Sequence, residues 1–379
     1  MIRIIASLFA ALSLTATAWS QPVFQTEASH AVIMDFETGE ILFSKNAEEP
    51  MSPASMSKLM TALMVFEALE NGTLSEDDEL PVSEDAWRRG GAASGSSTMF
   101  LEVNSRARVE DLLRGIIVQS GNDACIVVAE ALEGSEEAFA DAMTARAREL
   151  GLESATFRNA TGWPDPEHLI SAADLARLAR HIIVNHPEAY GIYAEEIYTY
   201  NGIRQFNRNP LLGVFRGADG LKTGHTSVSG YGLVGSAARD GERRIIVFNG
   251  MEDERARADE AERLMRSAFA DFNVYTLLEA GDPVGSAELY LGVDDTVPVR
   301  VSQSVALGMH RRARDEVSAE LIYEGPIAAP VSEGQGIGQL EITLSDGRVE
   351  RYPVEAAASV DRQGMVGRAF SALAQLIRG

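Results

Sequence analysis

The apolar positions of this chain change texture along its length. From Leu59 to Leu69 the residues Leu59, Met60, Leu63, Met64, Phe66 and Leu69 recur at helical spacing without glycine or proline, which predicts a buried helix whose first turn holds Ser55 to Lys58 behind Pro53. Ahead of it, Ala31–Phe36 and Ile41–Phe43 read as a hairpin turning at Gly39. Behind it, Asn71-Gly72-Thr73 ends the helix and Ser75 to Glu79 reads as loop. The middle is helical: Val109 to Val118 with Leu112, Leu113, Ile116 and Ile117 on one face, an interruption at Ser120-Gly121-Asn122, a buried helix from Ala124 to Leu132, and two glycine-terminated helices at Glu136–Leu150 and Ser171–Val184. Gly90 to Ser97 reads either as a surface loop near a site or as a plain spacer.

From Ile197 the pattern shortens to strands at Ile197–Ile203, Gly217–Lys222, Tyr231–Ala238 and Arg244–Asn249, followed by an amphipathic helix from Glu254 to Asp271 with Ala261, Leu264, Met265, Ala268 and Phe269 inward. Strands from both ends of this region with helices between them predict an α/β domain with an antiparallel sheet. After it, Leu289–Leu291, Val297–Val301, Val317–Ile322 and Leu340–Leu344 alternate between turn signals, which predicts a small all-β domain over 276–360 behind the α/β domain over 21–275. Gly334-Gln335-Gly336-Ile337-Gly338 is not a dinucleotide fingerprint, because its third glycine comes one residue early and no helix follows. Over 361–379, Met365, Val366, Ala369, Phe370, Leu373, Leu376 and Ile377 share one arc of a helical wheel, an amphipathic helix suited either to an anionic membrane surface or to docking on the protein.

Composition refines the picture. With 379 residues, 45% apolar and 23% charged, the chain is long enough for two cores. A net charge of −23 argues against a nucleic-acid partner. Residues 1–20 carry Arg3, an apolar run from Ile4 to Leu14 and Ala16-Thr17-Ala18, the layout of an export signal cut after Ala18 or Ser20. The single Cys125 permits no internal disulfide. His30, His168, His181, His186 and His310 lack metal-site spacing, so neither a metal nor a cofactor is expected.

The chemistry concentrates in few residues. Ser55 and Lys58 stand three apart and share a helical face, and a serine beside an amine that burial keeps uncharged is an activated nucleophile. Of 33 basic residues only Lys45, Lys58 and Lys222 are lysines, which fits a need for an amine that can lose its proton, since guanidinium does not. Lys222 in turn heads Lys222-Thr223-Gly224, giving three patterns in order: Ser55-x-x-Lys58, Ser120-Gly121-Asn122 and Lys222-Thr223-Gly224.

Together with Gly95-Ser96-Ser97, Asn201-Gly202-Ile203-Arg204-Gln205, Asn207-Arg208-Asn209 and Gly220 to Thr226, these motifs make the chain resemble the low-molecular-weight penicillin-binding proteins, the D-alanyl-D-alanine carboxypeptidases of the serine-lysine class. The resemblance implies a β-lactamase/transpeptidase-like catalytic domain, the small β domain and a terminal anchor at the inner-membrane surface of a periplasmic enzyme. It implies Ser120 as a proton relay, Asn122 holding Lys58 and the substrate amide, and Arg204 beside Lys222 and Thr223 on the substrate carboxylate. Residue chemistry adds Lys58 as base, its pKa lowered by burial and by Lys222, and the Ser55 and His225 backbone N–H groups as oxyanion donors. Gly224 leaves room for an extended peptide. The expected partners are peptidoglycan stem peptides, with β-lactams as inhibitors. A class A β-lactamase would need a deacylating Glu-x-x-Leu-Asn motif, absent from this sequence; a DD-endopeptidase using the same site and a non-catalytic wall scaffold remain as alternatives.

Overall fold

The structure of the chain, a computed structural model, describes residues 24–364. The export signal and the apolar stripe from Met365 onward lie outside the described residues. The first hairpin is β1 (His30–Asp35) and β2 (Ile41–Lys45). Two short ribbons, β3 (Pro50–Met51) with β6 (Ile170–Ser171) and β4 (Glu79–Pro81) with β5 (Arg106–Arg108), brace the helices that follow.

Helix α1 (Lys58–Glu70) is buried on nearly all sides, as its apolar composition requires. Around it stand α2 (Val109–Ile117), α3 (Asn122–Glu133), α4 (Glu136–Glu149), α5 (Ala172–Asn185) and the short α6 (Pro187–Tyr190). Ser135 and Ser171 cap α4 and α5 by accepting from the N–H groups of Ala138 and Asp174. Helix α5 ends ahead of Pro187 rather than at a glycine, since the residue before a proline is driven out of the helical region.

The strand expected over Ile197–Ile203 is instead a hairpin, β7 (Ile197–Tyr200) and β8 (Ile203–Phe206). Asn201 and Gly202 between them have φ +47° and +76°, the two positive values of a tight hairpin turn. The main sheet is completed by β9 (Ala218–Thr226), β10 (Gly230–Arg239) and β11 (Glu242–Met251), in the antiparallel order β2-β1-β11-β10-β9. One face, with Val32, Met34, Val234 and Val247, packs against the helical region; the other, with Ile33, Leu233, Ile246 and Phe248, packs against α7 (Glu254–Ala270). Strand β9 is an edge, and its outer rim faces the helices.

The β domain is built from β12 (Phe272–Leu278), β13 (Pro283–Tyr290), β14 (Thr296–Val301), β15 (Val305–His310), β16 (Ser318–Tyr323), β17 (Ile327–Ala328), β18 (Gly336–Thr343) and β19 (Val349–Ala356). A six-stranded sheet in the order β16-β18-β19-β14-β13-β17 and the β12-β15 ribbon enclose a core that includes Val299, Leu307, Leu340 and Val354. Strand β12 straddles both cores: Phe272 and Val274 pack with the first, Tyr275, Leu277 and Leu278 with the second. Arg348 joins the domains, donating to the carbonyls of Ile41 and Gly308. The terminal helix was expected to start at 361, but Asp361 to Gly364 are extended, with Val293 N–H donating to Asp361 O at 2.8 Å and Gln363 N–H to Leu291 O at 2.9 Å. Among the described residues no helix is long and apolar enough to cross a membrane.

Candidate active site

Ser55 stands on a 3-10 turn (Ala54–Ser57) that feeds α1, not on the first α-helical turn itself. In a 3-10 turn side chains three apart eclipse, so the pairing with Lys58 survives the change of helix type. Lys58 Nζ lies 3.0 Å from Ser55 Oγ, 2.7 Å from Asn122 Oδ1 and 2.5 Å from the Thr161 carbonyl oxygen. The last two atoms can only accept. A neutral amine spends both of its hydrogens on them and turns its lone pair to the serine O–H. Burial pushes the Lys58 pKa down to about 8, and the neighbouring cation that adds to this is Arg208 rather than the Lys222 that was expected.

The second motif sits between α2 and α3. Ser120 is buried with φ +60°, and its Oγ has no hydrogen-bond partner among the described residues although it lines the cleft. Asn122 opens α3 and bridges the site, its Nδ2 donating to Ser96 Oγ at 3.0 Å. The buried Asp123 carboxylate accepts from Thr98 Oγ1 at 2.5 Å and from the N–H groups of Met99 and Leu101 at 2.9 and 3.1 Å. The segment around Ser96 and Ser97 is thereby held against the site, so Gly90–Ser97 leads into the cleft and is not a plain spacer.

The third motif lies on β9. Lys222 and Thr223 are buried, and burial, then Lys58 and Arg208, drive the Lys222 pKa well below the ordinary lysine range. Lys222 makes no hydrogen bond or ion pair among the described residues. At Gly224 a Cβ would come within 2.7 Å of the Pro53 carbonyl oxygen, so the glycine also lets the strand lie against the Ser55 turn. The exposed His225 ring stacks on Tyr231 at 3.8 Å between centroids.

Ser55, Ser97, Ser120, Thr223, Gly224 and His225 line one cleft of about 180 Å³. Arg204 is not among its lining residues. Its guanidinium lies on the solvent face of the hairpin, 5.3 Å from the Phe206 ring centre, because the Asn201-Gly202 turn reverses the chain there. Arg208 takes the place expected for it, lining the cleft and donating to Ser97 Oγ at 2.7 Å. The flanking asparagines hold it: Asn207 Nδ2 donates to Glu195 O at 3.1 Å and Asn209 Nδ2 to Gly220 O at 2.8 Å. Arg257 and Glu254, from the first turn of α7, complete the rim. In a chain of net charge −23, Arg208 and Arg257 line the cleft with Glu254 as its one lining carboxylate, while Lys58 and Lys222 are not lining residues but lie buried behind it, Lys58 against Ser55 and Lys222 within reach of the charges of Lys58, Arg208 and Arg257.

Sequence reading also missed the loop that supplies the Thr161 carbonyl. Asn159 Oδ1 accepts from the N–H groups of Thr161, Gly162 and Trp163 at 3.2, 2.7 and 3.0 Å, and Thr61 Oγ1 of α1 donates to Ala160 O at 2.7 Å. No local motif announces a backbone acceptor. Cys125 is buried and its thiol is pushed up to about 12 by burial, so it packs rather than reacts.

This arrangement coincides with a family match. The D-alanyl-D-alanine carboxypeptidase family matches residues 15–252. The chain belongs to that family. A second match, to the penicillin-binding protein 5 C-terminal domain, covers residues 272–362. The chain is 36% identical over 348 residues to the D-alanyl-D-alanine carboxypeptidase DacD of Escherichia coli K12, covering 91% of this chain and 89% of that relative. The crystal structure of DacD from Francisella tularensis superimposes with a TM-score of 0.72 at 30% identity over 90% of this chain and 95% of that one. Penicillin-binding protein D2 from Listeria monocytogenes, in its ampicillin-bound form, matches with a TM-score of 0.57 at 31% identity over 66% of this chain and all of that one.

Proposed function

We infer that this protein is a serine-type D-alanyl-D-alanine carboxypeptidase that removes the terminal D-alanine from peptidoglycan stem peptides through an acyl-enzyme on Ser55. The observation that carries this reading is a buried lysine nitrogen 3.0 Å from a half-buried serine oxygen, in a member of the carboxypeptidase family. In the forward step Lys58 Nζ takes the Ser55 proton as Oγ bonds to the carbonyl carbon of the penultimate D-alanine. The developing oxyanion falls to the backbone N–H groups of Ser55 and His225; the position of β9 at a sheet edge, where alternate N–H groups lack a strand partner, supports the second donor. When the C–N bond breaks, the proton on Lys58 passes through Ser120 Oγ–H to the leaving amine. Water then attacks the ester, its proton returns by the same route, and Ser55 Oγ leaves with a proton restored.

The terminal carboxylate of the substrate is assigned to Lys222, Thr223 and Arg208. An arriving anion favours the ammonium form of Lys222, so the cation that burial discourages in the free cleft is regained on binding. β-Lactams are assigned to the same serine, in keeping with the ampicillin form of the Listeria relative. Lys58 is flanked by an amide and a carbonyl rather than by a carboxylate, and Glu254 is exposed at the rim, so release of penicilloyl should be slow.

We assign 21–275 to catalysis and 276–360 to the separate small β domain. Residues 1–20 direct export, and the stripe from Met365 to Ile377 rests the protein on the periplasmic side of the cytoplasmic membrane; truncation before Met365 should move it to the soluble fraction with peptidase activity intact. The catalytic reading is tested by mass spectrometry of a synthetic pentapeptide after incubation. Loss of one D-alanine is expected; an untouched pentapeptide overturns the reading, and cleavage confined to a crosslinked dimer transfers it to an endopeptidase.

A further inference from the structure

At the end of α1 opposite the Ser55-x-x-Lys58 motif, where α1 meets the end of α5, the fold gathers Glu67, His181 and His186. One ligand atom from each lies within 4.8 Å of the other two. Glu67 is in the last turn of α1, His181 in the last turn of α5 and His186 just past its end. We propose that Glu67, His181 and His186, backed by Glu70, form a binding site for a zinc-class divalent cation that ties the end of α1 to the end of α5.

The second layer of the cluster carries the argument. His186 is 5% exposed, and its Nδ1 lies 2.7 Å from Glu70 Oε1. A carboxylate that accepts from one imidazole nitrogen leaves the other with a lone pair and raises its basicity, the arrangement found behind metal-bound histidines. The Glu67 carboxylate is held in place by Arg146, whose Nε and Nη2 lie 3.0 and 2.8 Å from Oε1, and a carboxylate gripped by one guanidinium still has lone pairs to give. His181 has no ionic partner among the described residues. Asn185 Nδ2 donates to the His181 carbonyl oxygen at 3.0 Å and lies 3.1 Å from His181 Nδ1, so Nδ1 carries the ring's lone pair and an arriving cation replaces the amide's hydrogen bond there.

Donor chemistry selects the ion. Two imidazoles and one carboxylate suit Zn²⁺ or a similar late first-row cation, whereas Mg²⁺ and Ca²⁺ ask for oxygen cages. Tetrahedral bonds of about 2.0–2.1 Å place donor atoms roughly 3.3 Å apart, so closure from the present spacing needs about an ångström of side-chain movement. Access exists on both sides: Glu70, Asn185 and His186 line a cavity of about 750 Å³, and His181 with Asn185 lines another of about 190 Å³.

The test titrates the full chain with ZnCl₂ by calorimetry, repeats the titration with Co²⁺ followed by visible absorption, and records thermal melts in chelator and in zinc. One saturable equivalent is expected, with a rise in melting temperature, a ligand-field band for Co²⁺ and no response to Mg²⁺. His181→Ala and His181→Gln should each weaken zinc binding at least about tenfold, and Glu70→Gln by about 10–100-fold, while all three melt like the parent in chelator. Absence of saturable zinc uptake overturns the proposal, and so does uptake of equal affinity by parent and His181 variants. Pentapeptide cleavage should be the same in chelator and with one equivalent of zinc bound, which separates this site from the cleft.

Discussion

Around the cleft, Lys58, Ser120, Asn122, Asp123, Lys222 and Thr223 are all buried, while in the β domain His310, at its junction strand β15, is the one buried polar side chain among the described residues. The ion pairs of the β domain, such as Arg300 with Glu355 and Arg351 with Glu341, lie where solvent reaches them and add little stability. Burying two amines beside each other is costly, and a domain selected only for stability has no reason to do it. The cleft does so because an amine near neutrality is needed there at ordinary pH, and only removal from water makes one. The contrast separates a region built for reactivity from one built for stiffness.

Four experiments sharpen the contrast, from the largest effect downward. Ser55→Ala and Lys58→Ala should each lower kcat/KM on pentapeptide by about 10⁴-fold or more. Ser55→Ala should also abolish labelling by fluorescent penicillin, and equal labelling of parent and variant would place the nucleophile elsewhere. Arg208→Ala should cost about 10²-fold in kcat/KM, the scale of a charge-assisted bond to the substrate carboxylate, while Arg204→Ala stays within about twofold. A larger loss at 204 than at 208 would reverse the assignment.

The pH profile comes next. Lys58 accepts a proton only when neutral, so the rate of acylation by a β-lactam should rise tenfold per pH unit up to about 8 and level off above it, leaving pH 7 about tenfold below the plateau. A rate independent of pH between 6 and 8 would remove Lys58 as the base. Least affected in activity should be Leu340→Ala, in the β-domain core: denaturant unfolding should show a loss of about 2–5 kcal/mol in that domain, with pentapeptide kcat/KM unchanged. A parallel loss of activity would mean that the two domains are coupled rather than merely joined.

The pairing of Ser55 with Lys58 is legible because its signal is local. Ser55 and Lys58 sit one turn apart, and the lack of glycine or proline after Pro53 leaves little alternative to a helix. Boundaries are less legible: the periodicity over Ile197–Ile203 predicts one strand where the structure has a hairpin, and the resemblance points to Arg204 where the structure puts Arg208 on the cleft lining. The Asn-Gly pair was the available signal. For the Asn159–Trp163 loop there was none, since a backbone carbonyl carries no side-chain signature.

By itself the sequence determined the order of elements, the three motifs and the two textures of the domains, because periodicity and short spacings are properties of neighbouring residues. Only the tertiary structure decided that the Thr161 carbonyl, 103 positions from Lys58, meets its amine, that Arg208 enters the cleft, and that Glu67 meets His181 of α5 and His186 just past its end. Burial sets the charge on an amine, and burial exists only once distant segments have packed around it.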